Sequence, residues 1–292
     1  MIREGVITGM LVTLKEVLQD AEKNQYAVGA FNVPTFESLR AALDAAEELQ
    51  TPIILAHAEV HSSVMPLEFI GPILVNCAKK ANVPVVVHLD HGSDIKLIEQ
   101  AINLGFTSVM IDASHKPYDE NVKTVQEVVE FAHKFNVSVE AELGVITSSG
   151  IGGEETENHI TSDSILTDPH LAKDFVEKTN IDALAASIGT VHGIYMSQPN
   201  IDYERIKTLH DLTKIPIVMH GGSGLSKEEY LKTIESGVRK INYYSYSAKY
   251  AAEAIKEYIN KNNNVFYHEL TFIAKKVIEQ DLRTVIKIFR NN

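Results

Sequence analysis

Short runs of aliphatic and β-branched residues alternate with longer amphipathic stretches along nearly the whole chain. Eight of the short runs predict strands, at residues 27–33, 52–57, 83–89, 108–112, 138–143, 183–187, 216–220 and 240–242. Apolar residues at helical spacing predict eight helices between and after them, at residues 36–48, 66–80, 94–104, 120–135, 169–178, 203–212, 227–235 and 247–260. The strands lack polar alternation, which is typical of a parallel sheet covered by helices.

This alternation predicts an α/β fold built on a single closed barrel. Eight strand–helix units in 292 residues give about 36 residues per unit, which favours a (β/α)8 TIM barrel over an open doubly wound sheet. No stretch has the composition of a linker, so we expect one domain over residues 1–292. Apolar residues at helical spacing predict a C-terminal helical extension at about residues 265–290, which closes the barrel or forms an interface.

The charge of the chain restricts its partners. There are 27 Lys plus Arg and 39 Asp plus Glu, so the formal net charge is −12, which argues against nucleic acid and membrane surfaces as partners. A phosphorylated substrate would then need a local positive site, such as a metal ion or a helix N-terminus. The single cysteine, Cys77, cannot form an internal disulfide, and we find no signal segment or long apolar run. These features predict a cytoplasmic protein.

Polar side chains collect where the predicted strands end, which is where barrel enzymes carry their reactive groups. They are Asn32, Asp90, His91, Asp112, Glu142, His192, His220 and Asn242. His91, His192 and His220 come from different strands and could bind one divalent ion with a position left open, as in a catalytic zinc site. Alternatively, each is only a hydrogen-bonded histidine near a strand end. A glycine follows each of the three and allows close approach, which favours the ligand interpretation, and His57 and His61 are reserve ligands.

Two neighbouring features suggest chemistry beside such an ion. Asp90 directly precedes the first histidine, and its carboxylate would stay ionised beside a cation and accept a proton. The alternative role of Asp90 is to orient a ligand histidine. The Gly-Gly-Ser-Gly segment at 221–224 follows the seventh strand and is predicted to open a helix, so its N–H groups and the Ser223 hydroxyl would bind phosphate. Asn242 and Ser245 would complete that site.

Four motifs carry a resemblance to a known family. They are Val-His-Leu-Asp-His-Gly (87–92), Glu-Ala-Glu-Leu-Gly (140–144), Ile-Gly-Thr-Val-His-Gly-Ile-Tyr (188–195) and Met-His-Gly-Gly-Ser-Gly (219–224). Together they closely resemble the class II, zinc-dependent fructose-bisphosphate and tagatose-bisphosphate aldolases. The resemblance implies a homodimeric or homotetrameric TIM barrel of glycolysis or carbohydrate metabolism. Such an enzyme cleaves a ketose 1,6-bisphosphate into dihydroxyacetone phosphate and glyceraldehyde 3-phosphate.

The resemblance also implies roles for individual residues. His91, His192 and His220 would bind the catalytic Zn²⁺, and Asp90 would handle the proton of the substrate's C4 hydroxyl. Asp112 and Glu142 resemble the carboxylates of an alternative or second divalent-metal position.

A Gly-Gly-Glu-Glu segment at 152–155 resembles the family segment whose acid exchanges the proton on the dihydroxyacetone phosphate carbon. Either Glu154 or Glu155 would be that catalytic acid. The substrate- and phosphate-binding surface, where the family also binds a monovalent cation (Na⁺ or K⁺), would consist of Asn32, Gly193, Gly221, Gly222, Ser223, Asn242 and Ser245.

The chain departs from the family pattern near the substrate rather than the metal, at Ala58, Met196, Tyr244 and Tyr246. The choice between fructose 1,6-bisphosphate, tagatose 1,6-bisphosphate and another ketose phosphate therefore stays open. A Schiff-base aldolase would need an interior lysine, and the sixth strand has none. We treat Lys240 as a residue that flanks the eighth strand. Two other functions compete: a metal hydrolase that uses the same histidines, and a sugar-phosphate binding protein without turnover.

Overall fold

The computed structural model describes residues 10–149 and 166–291. Eight parallel strands form a closed barrel in which each strand pairs with the next and the eighth pairs with the first. The strands are β1 (Val28–Asn32), β2 (Ile53–Ala58), β3 (Val85–Gly92), β4 (Ser108–Ile111), β5 (Ser138–Leu143), β6 (Ala183–Ala186), β7 (Ile217–Met219) and β8 (Val238–Tyr243). Helices alternate with the strands, so the predicted TIM barrel is confirmed.

The helices in the described part of the chain are α1 (Leu14–Asn24), α2 (Phe36–Leu49), α3 (Leu67–Lys80), α4 (Ile95–Asn103), α5 (Tyr118–His133), α6 (Pro169–Thr179), α7 (Tyr203–Thr213), α8 (Lys227–Ser236), α9 (Ser245–Lys261) and α10 (Tyr267–Phe289). A short 3₁₀ helix, Glu59–Ser63, follows β2. None of the helices in these described ranges combines the length and apolar character that a bilayer crossing requires.

The first helix closes the barrel at the end where the strands begin. A capping box between Thr13 and Glu16 starts α1, and the chain just before it pairs with Val85 at the start of β3. The buried face of α1 packs against apolar side chains inside the barrel, among them Val28 and Ile54. We did not predict this helix, although the Thr-x-x-Glu pattern before an apolar face was present in the sequence.

The C-terminal extension forms as predicted and packs on its own barrel. Helix α10 lies against α2 and α9 and buries Ile278, Leu282, Val285 and Phe289. The Ala27 N–H donates to the Phe289 carbonyl over 2.9 Å, which ties the end of α10 to the start of β1. This helix therefore closes the barrel of its own chain.

Side chains inside the barrel change character along the strands. Towards α1 they are apolar, with Val28, Val86 and Val218 packed together. Towards the C-terminal ends, the same inward positions carry polar groups that are almost completely buried, such as Glu140 and Asn242. Because strand side chains alternate with a period of two, the apolar interior and the polar mouth share one set of positions.

Candidate metal centre and active site

Inward-facing positions near the strand ends bring most of the predicted site residues together. Asn32 on β1, Asp90 on β3, Glu142 on β5 and Asn242 on β8 are each at most 4% exposed. His220 follows β7 and is fully buried. The sequence therefore predicted the convergence of these groups on one mouth.

An irregularity in β3 explains how Asp90 and its neighbour His91 both reach this mouth. Consecutive strand residues normally face opposite sides of a sheet. The pairing of β3 with β4 shifts register between Leu89 and Gly92, and His91 has a left-handed φ of +49°. A bulge of this kind redirects a side chain. We predicted that the strand ends at residue 89, whereas β3 continues through both functional residues.

The three candidate ligand histidines bring one ring nitrogen each to a common point. His220 Nδ1 lies 3.0 Å from His91 Nε2 and 3.4 Å from His192 Nε2. A tetrahedral zinc ion with Zn–N bonds near 2.0–2.1 Å separates its ligand nitrogens by about 3.3 Å. The two distances lie on either side of this value, and the ligand atoms of the three histidines all lie within 4.8 Å of one another, so the three imidazoles are compatible with one zinc ion.

Carboxylates lie against the opposite nitrogens of two of these rings. His91 Nδ1 is 2.9 Å from Asp112 Oδ2, and His220 Nε2 is 2.8 Å from Glu140 Oε1. Carboxylates in this position orient metal-binding histidines and raise their basicity. We did not predict Glu140, although its spacing of two from Glu142 placed it on the same face of the strand.

His192 is held by the segment that follows β5. Its N–H donates to the Thr147 carbonyl over 2.9 Å, and its carbonyl accepts from the Ser149 N–H over 2.8 Å. This segment leads into residues 152–155, which lie outside the described residues. The roles of Glu154 and Glu155 therefore stay predictions.

A second group of potential ligands shares His91 with the first. Ligand atoms of His91, Asp112 and Glu142 all lie within 4.8 Å of one another. Asp112 Oδ1 also accepts from the Ser114 N–H over 3.1 Å, which fixes its orientation. The arrangement is compatible with the alternative or second divalent-metal position.

The surroundings of the mouth shift the pKa values of two candidate ligand histidines in opposite directions. Burial would lower the pKa of His91, but Asp90 and Asp112 outweigh it and hold the pKa well above its usual value. Burial lowers the pKa of His220 to about 4, so this ring is neutral near pH 7. The carboxylates that favour a proton on His91 would equally favour a divalent ion bound to the deprotonated rings.

Asp90 lies at the centre of the mouth as a hydrogen-bond acceptor. It accepts from the Asn32 side-chain amide over 2.9 Å and from that of Asn242 over 3.2 Å. Burial would raise the pKa of Asp90, but the positive charges of His91 and Lys240 hold it well below its usual range. Asp90 is thus an ionised, oriented carboxylate that can accept a proton.

The glycine-rich segment after β7 is arranged differently from our prediction. It does not open directly into a helix, because α8 begins at Lys227 behind its own capping box between Ser226 and Glu229. Instead, Ser223 Oγ accepts from the Tyr244 N–H over 3.3 Å. Helix α9 begins at Ser245, and Tyr244 forms no side-chain cap. The N-terminus of α9 therefore also lies beside the segment.

Two tyrosines hold the backbone of the glycine segment from outside. The Tyr195 hydroxyl donates to the Gly221 carbonyl over 2.7 Å, and the Tyr230 hydroxyl donates to the Gly222 carbonyl over 2.6 Å. Gly221 has a φ of +64°, and a Cβ there would lie 2.3 Å from the Val191 carbonyl oxygen. The glycine is thus required by close packing of two loops.

The departures from the family pattern lie around this region. The ring of Tyr244 packs on His61 with centroids 4.7 Å apart, and the ring of Tyr246 lies against Gly224. Met196 is 75% exposed, whereas Ala58 is buried.

The reserve ligands, His57 and His61, belong to neither metal-binding group found among the described residues. His57 is fully buried, on the face of β2 that Ile53 and Leu55 direct towards the helices. Its two ring nitrogens have no hydrogen-bond partner in the described part of the chain.

Comparisons with known proteins agree with this geometry. A family model described as fructose-bisphosphate aldolase class-II matches residues 12–292. The chain belongs to the class II fructose-bisphosphate aldolase family. A relative named fructose-bisphosphate aldolase, from Geobacillus stearothermophilus, is 40% identical over 259 residues, which is 88% of this chain and 88% of the relative. Another of the same name, from Staphylococcus aureus strain Mu50, is 38% identical over 285 residues, 96% of this chain and 97% of the relative.

Among solved structures, the YdjI aldolase from Escherichia coli K12 is similar with a TM-score of 0.83 and 32% identity, covering 96% of this chain and 97% of that one. Membership of the class II family makes the chain an aldolase, a lyase that acts on a carbon–carbon bond.

The position of Lys240 differs from our prediction, which matters because a Schiff-base aldolase would use an interior lysine. We treated it as flanking the eighth strand, but it is fully buried and faces into the barrel beside Glu140. The barrel therefore does contain an interior lysine. Its Nζ lies within 3.1 Å of both Glu140 oxygens, so it is an ion-paired ammonium. A Schiff-base nucleophile must instead be a free amine.

Proposed function

We propose that this chain is a zinc-dependent aldolase that reversibly cleaves a ketose 1,6-bisphosphate to dihydroxyacetone phosphate and glyceraldehyde 3-phosphate. Fructose 1,6-bisphosphate is the proposed substrate, with tagatose 1,6-bisphosphate or another ketose phosphate as the alternative. The observation that carries the proposal is the convergence of three imidazole nitrogens, 3.0 and 3.4 Å apart, beside the buried carboxylate of Asp90. The names of the relatives support the substrate.

His91, His192 and His220 would hold the zinc ion, with Asp112 and Glu142 serving an alternative or second position. When bound, zinc supplies a Lewis acid for the negative charge that develops as the carbon–carbon bond breaks. Asp90 accepts the proton of the C4 hydroxyl, and Asn32 and Asn242 keep its oxygens oriented for that transfer. Proton exchange on the dihydroxyacetone phosphate carbon would belong to Glu154 or Glu155.

The phosphate would bind between the glycine segment and the start of α9. The N–H groups of a helix N-terminus attract anions, and the Ser223 hydroxyl lies beside that terminus. Gly193, Gly221, Gly222 and Ser245 would complete this surface. A monovalent cation and a homodimeric or homotetrameric assembly also remain proposals.

The test is release of dihydroxyacetone phosphate from fructose and tagatose 1,6-bisphosphates, measured before and after treatment with EDTA. We expect EDTA to abolish cleavage, added Zn²⁺ to restore it, and borohydride to leave it untouched. Full activity in metal-free protein would contradict zinc dependence. Bisphosphate binding without turnover in the presence of zinc would favour a non-catalytic sugar-phosphate binding protein. Hydrolysis without carbon–carbon cleavage would favour a metal hydrolase.

A further inference from the structure

A buried ion pair lies inside the barrel next to the candidate metal centre. Lys240 Nζ is 3.1 Å from Glu140 Oε1 and 2.9 Å from Oε2, and both side chains are fully buried. Removing two charges from water is costly, so a buried ion pair is often no more stabilising than an apolar pair of similar volume. The stability of the barrel alone therefore does not explain this pair.

The carboxylate of the pair connects directly to a proposed zinc ligand. Glu140 Oε1 lies 2.8 Å from His220 Nε2. The other nitrogen of that ring, Nδ1, lies 3.0 Å from His91 Nε2 and 3.4 Å from His192 Nε2. One nitrogen of His220 thus faces the carboxylate, and the other faces the point where the three rings converge.

The direction of the hydrogen bonds in this chain of groups is fixed by chemistry. A lysine ammonium can only donate, and an ionised carboxylate can only accept. The nitrogen of His220 that faces Glu140 must therefore carry the ring proton, which leaves a lone pair on Nδ1. His88 does not compete for the carboxylate, because its Nε2 is 3.8 Å from Glu140 Oε2, beyond hydrogen-bond distance.

We propose that Lys240 and Glu140 are a positioning pair that fixes the tautomer and orientation of His220, so that the Nδ1 lone pair points at the metal position. This inference rests on the proposed zinc site and adds the residues that prepare it. Lys240 acts by keeping the carboxylate ionised and in place, and Glu140 acts by accepting the Nε2 proton. Neither residue needs to touch the substrate.

The test is the double variant Glu140→Met/Lys240→Met. It removes both charges together and leaves no buried ion without a partner, so we expect the barrel to remain folded. Zinc affinity, measured by competition with a chelator, should fall roughly 10- to 100-fold, the usual effect of losing an outer partner of a ligand histidine. In zinc-free protein, ¹⁵N NMR of the imidazoles should show both tautomers of His220, where the unaltered chain shows only Nε2 protonated.

Glu140→Gln provides a second test that keeps the shape of the side chain. An amide both donates and accepts, so His220 should again populate both tautomers. The matched control is Lys15→Met, which removes a partly exposed ion pair with Asp182 (3.1 Å) and should leave zinc affinity and the His220 tautomer unchanged.

The two proposals fail in different ways. Zinc affinity within about twofold of the unaltered chain, with a single His220 tautomer in the double variant, would overturn the positioning pair. An unaltered chain that binds no zinc would overturn the proposed function. In that case the tautomer in zinc-free protein would still decide whether Lys240 and Glu140 position His220.

Discussion

The two sides of the barrel mouth are built by different means. The proposed metal side consists mainly of residues on or directly after barrel strands, namely His91, Asp112, Glu140, Glu142 and His220, and His192 joins them from the loop that follows β6. The proposed substrate side consists of residues in the connecting loops, namely His61, Ser223 and Tyr244. His57 lies next to this side, near the end of β2, but faces the helices. The departures from the family pattern lie on or near the substrate side. Strands fix the direction of a side chain through their alternation, whereas loops allow the sequence to vary.

A second difference concerns the hydrogen-bond partners of the buried imidazoles in the two regions. On the metal side, His220 has Glu140 on one nitrogen and the other histidines on the second. Next to the substrate side, on the helix-facing side of β2, neither nitrogen of His57 has a hydrogen-bond partner among the described residues. A partnered imidazole can be held for metal binding, whereas an unpartnered one in an apolar layer adds mainly a cost of burial. Substitutions on the metal side should therefore change zinc affinity, whereas substitutions on or next to the substrate side should change substrate binding or stability.

The largest effect is expected from His220→Ala on the metal side. The loss of one of three proposed ligands should weaken zinc binding by well over about 100-fold, the upper range for losing only an outer partner, and turnover should become unmeasurable. Metal analysis and the aldol cleavage assay check this outcome. The control is His170→Ala, an exposed histidine on α6, which should change neither quantity. If His220→Ala retains zinc and activity, the metal side is wrongly assigned.

Asp90→Asn should come next, because it removes the proton acceptor and keeps the three histidines. Loss of a general base typically lowers the rate by roughly 10²- to 10⁴-fold, so we expect kcat to fall by that factor while zinc content is retained. Asp119→Asn, at an exposed aspartate in the first turn of α5, serves as the control. A variant with normal kcat would show that Asp90 only orients its neighbours.

Much of the metal side could be predicted from the sequence. All strands of a parallel barrel end at the same mouth, so carboxylates and imidazoles at the strand ends must lie close together. His91 is an exception in its geometry, because its bulge and positive φ follow from tertiary packing rather than from local pattern. Glu140 and Lys240 were missed because a charged residue within a strand is usually interpreted as an edge or solvent-facing position. Only the closed barrel reveals that they face each other.

The substrate side was predicted less well for a physical reason. The sequence correctly predicted the helix at residues 227–235 that follows the glycine segment, but it did not predict that the N-terminus of α9 also lies beside that segment. Which loop backbone lies beside which helix depends on contacts between distant residues, such as Ser223 with Tyr244. No local periodicity encodes such contacts.

Ser223→Ala should have a moderate effect that is confined to the substrate side. A single hydrogen bond to a charged group contributes about 1.5–3 kcal/mol, so KM for a phosphorylated ketose should rise by roughly one order of magnitude. Zinc affinity should be unchanged. Inorganic phosphate should also inhibit the variant less than the unaltered chain. Equal KM values and equal inhibition would place the phosphate elsewhere in the mouth.

The smallest effect is expected from His57→Leu, and it concerns stability rather than catalysis. Burial lowers the pKa of His57 to about 4, with His61 reinforcing the shift and Asp90 opposing it. Because the folded pKa lies below the unfolded value near 6.5, the unfolded chain binds the proton more readily. The stability that neutral His57 provides is complete above pH 6.5 and is lost as the pH falls towards 4.

Between pH 7 and pH 5, the free energy of unfolding should therefore fall less in the variant, by up to about 2 kcal/mol. Urea unfolding at the two pH values measures this difference, and the other buried histidines contribute equally to both proteins. An identical fall in the two proteins would mean that His57 has a partner, and the contrast between the two sides of the mouth would then not hold.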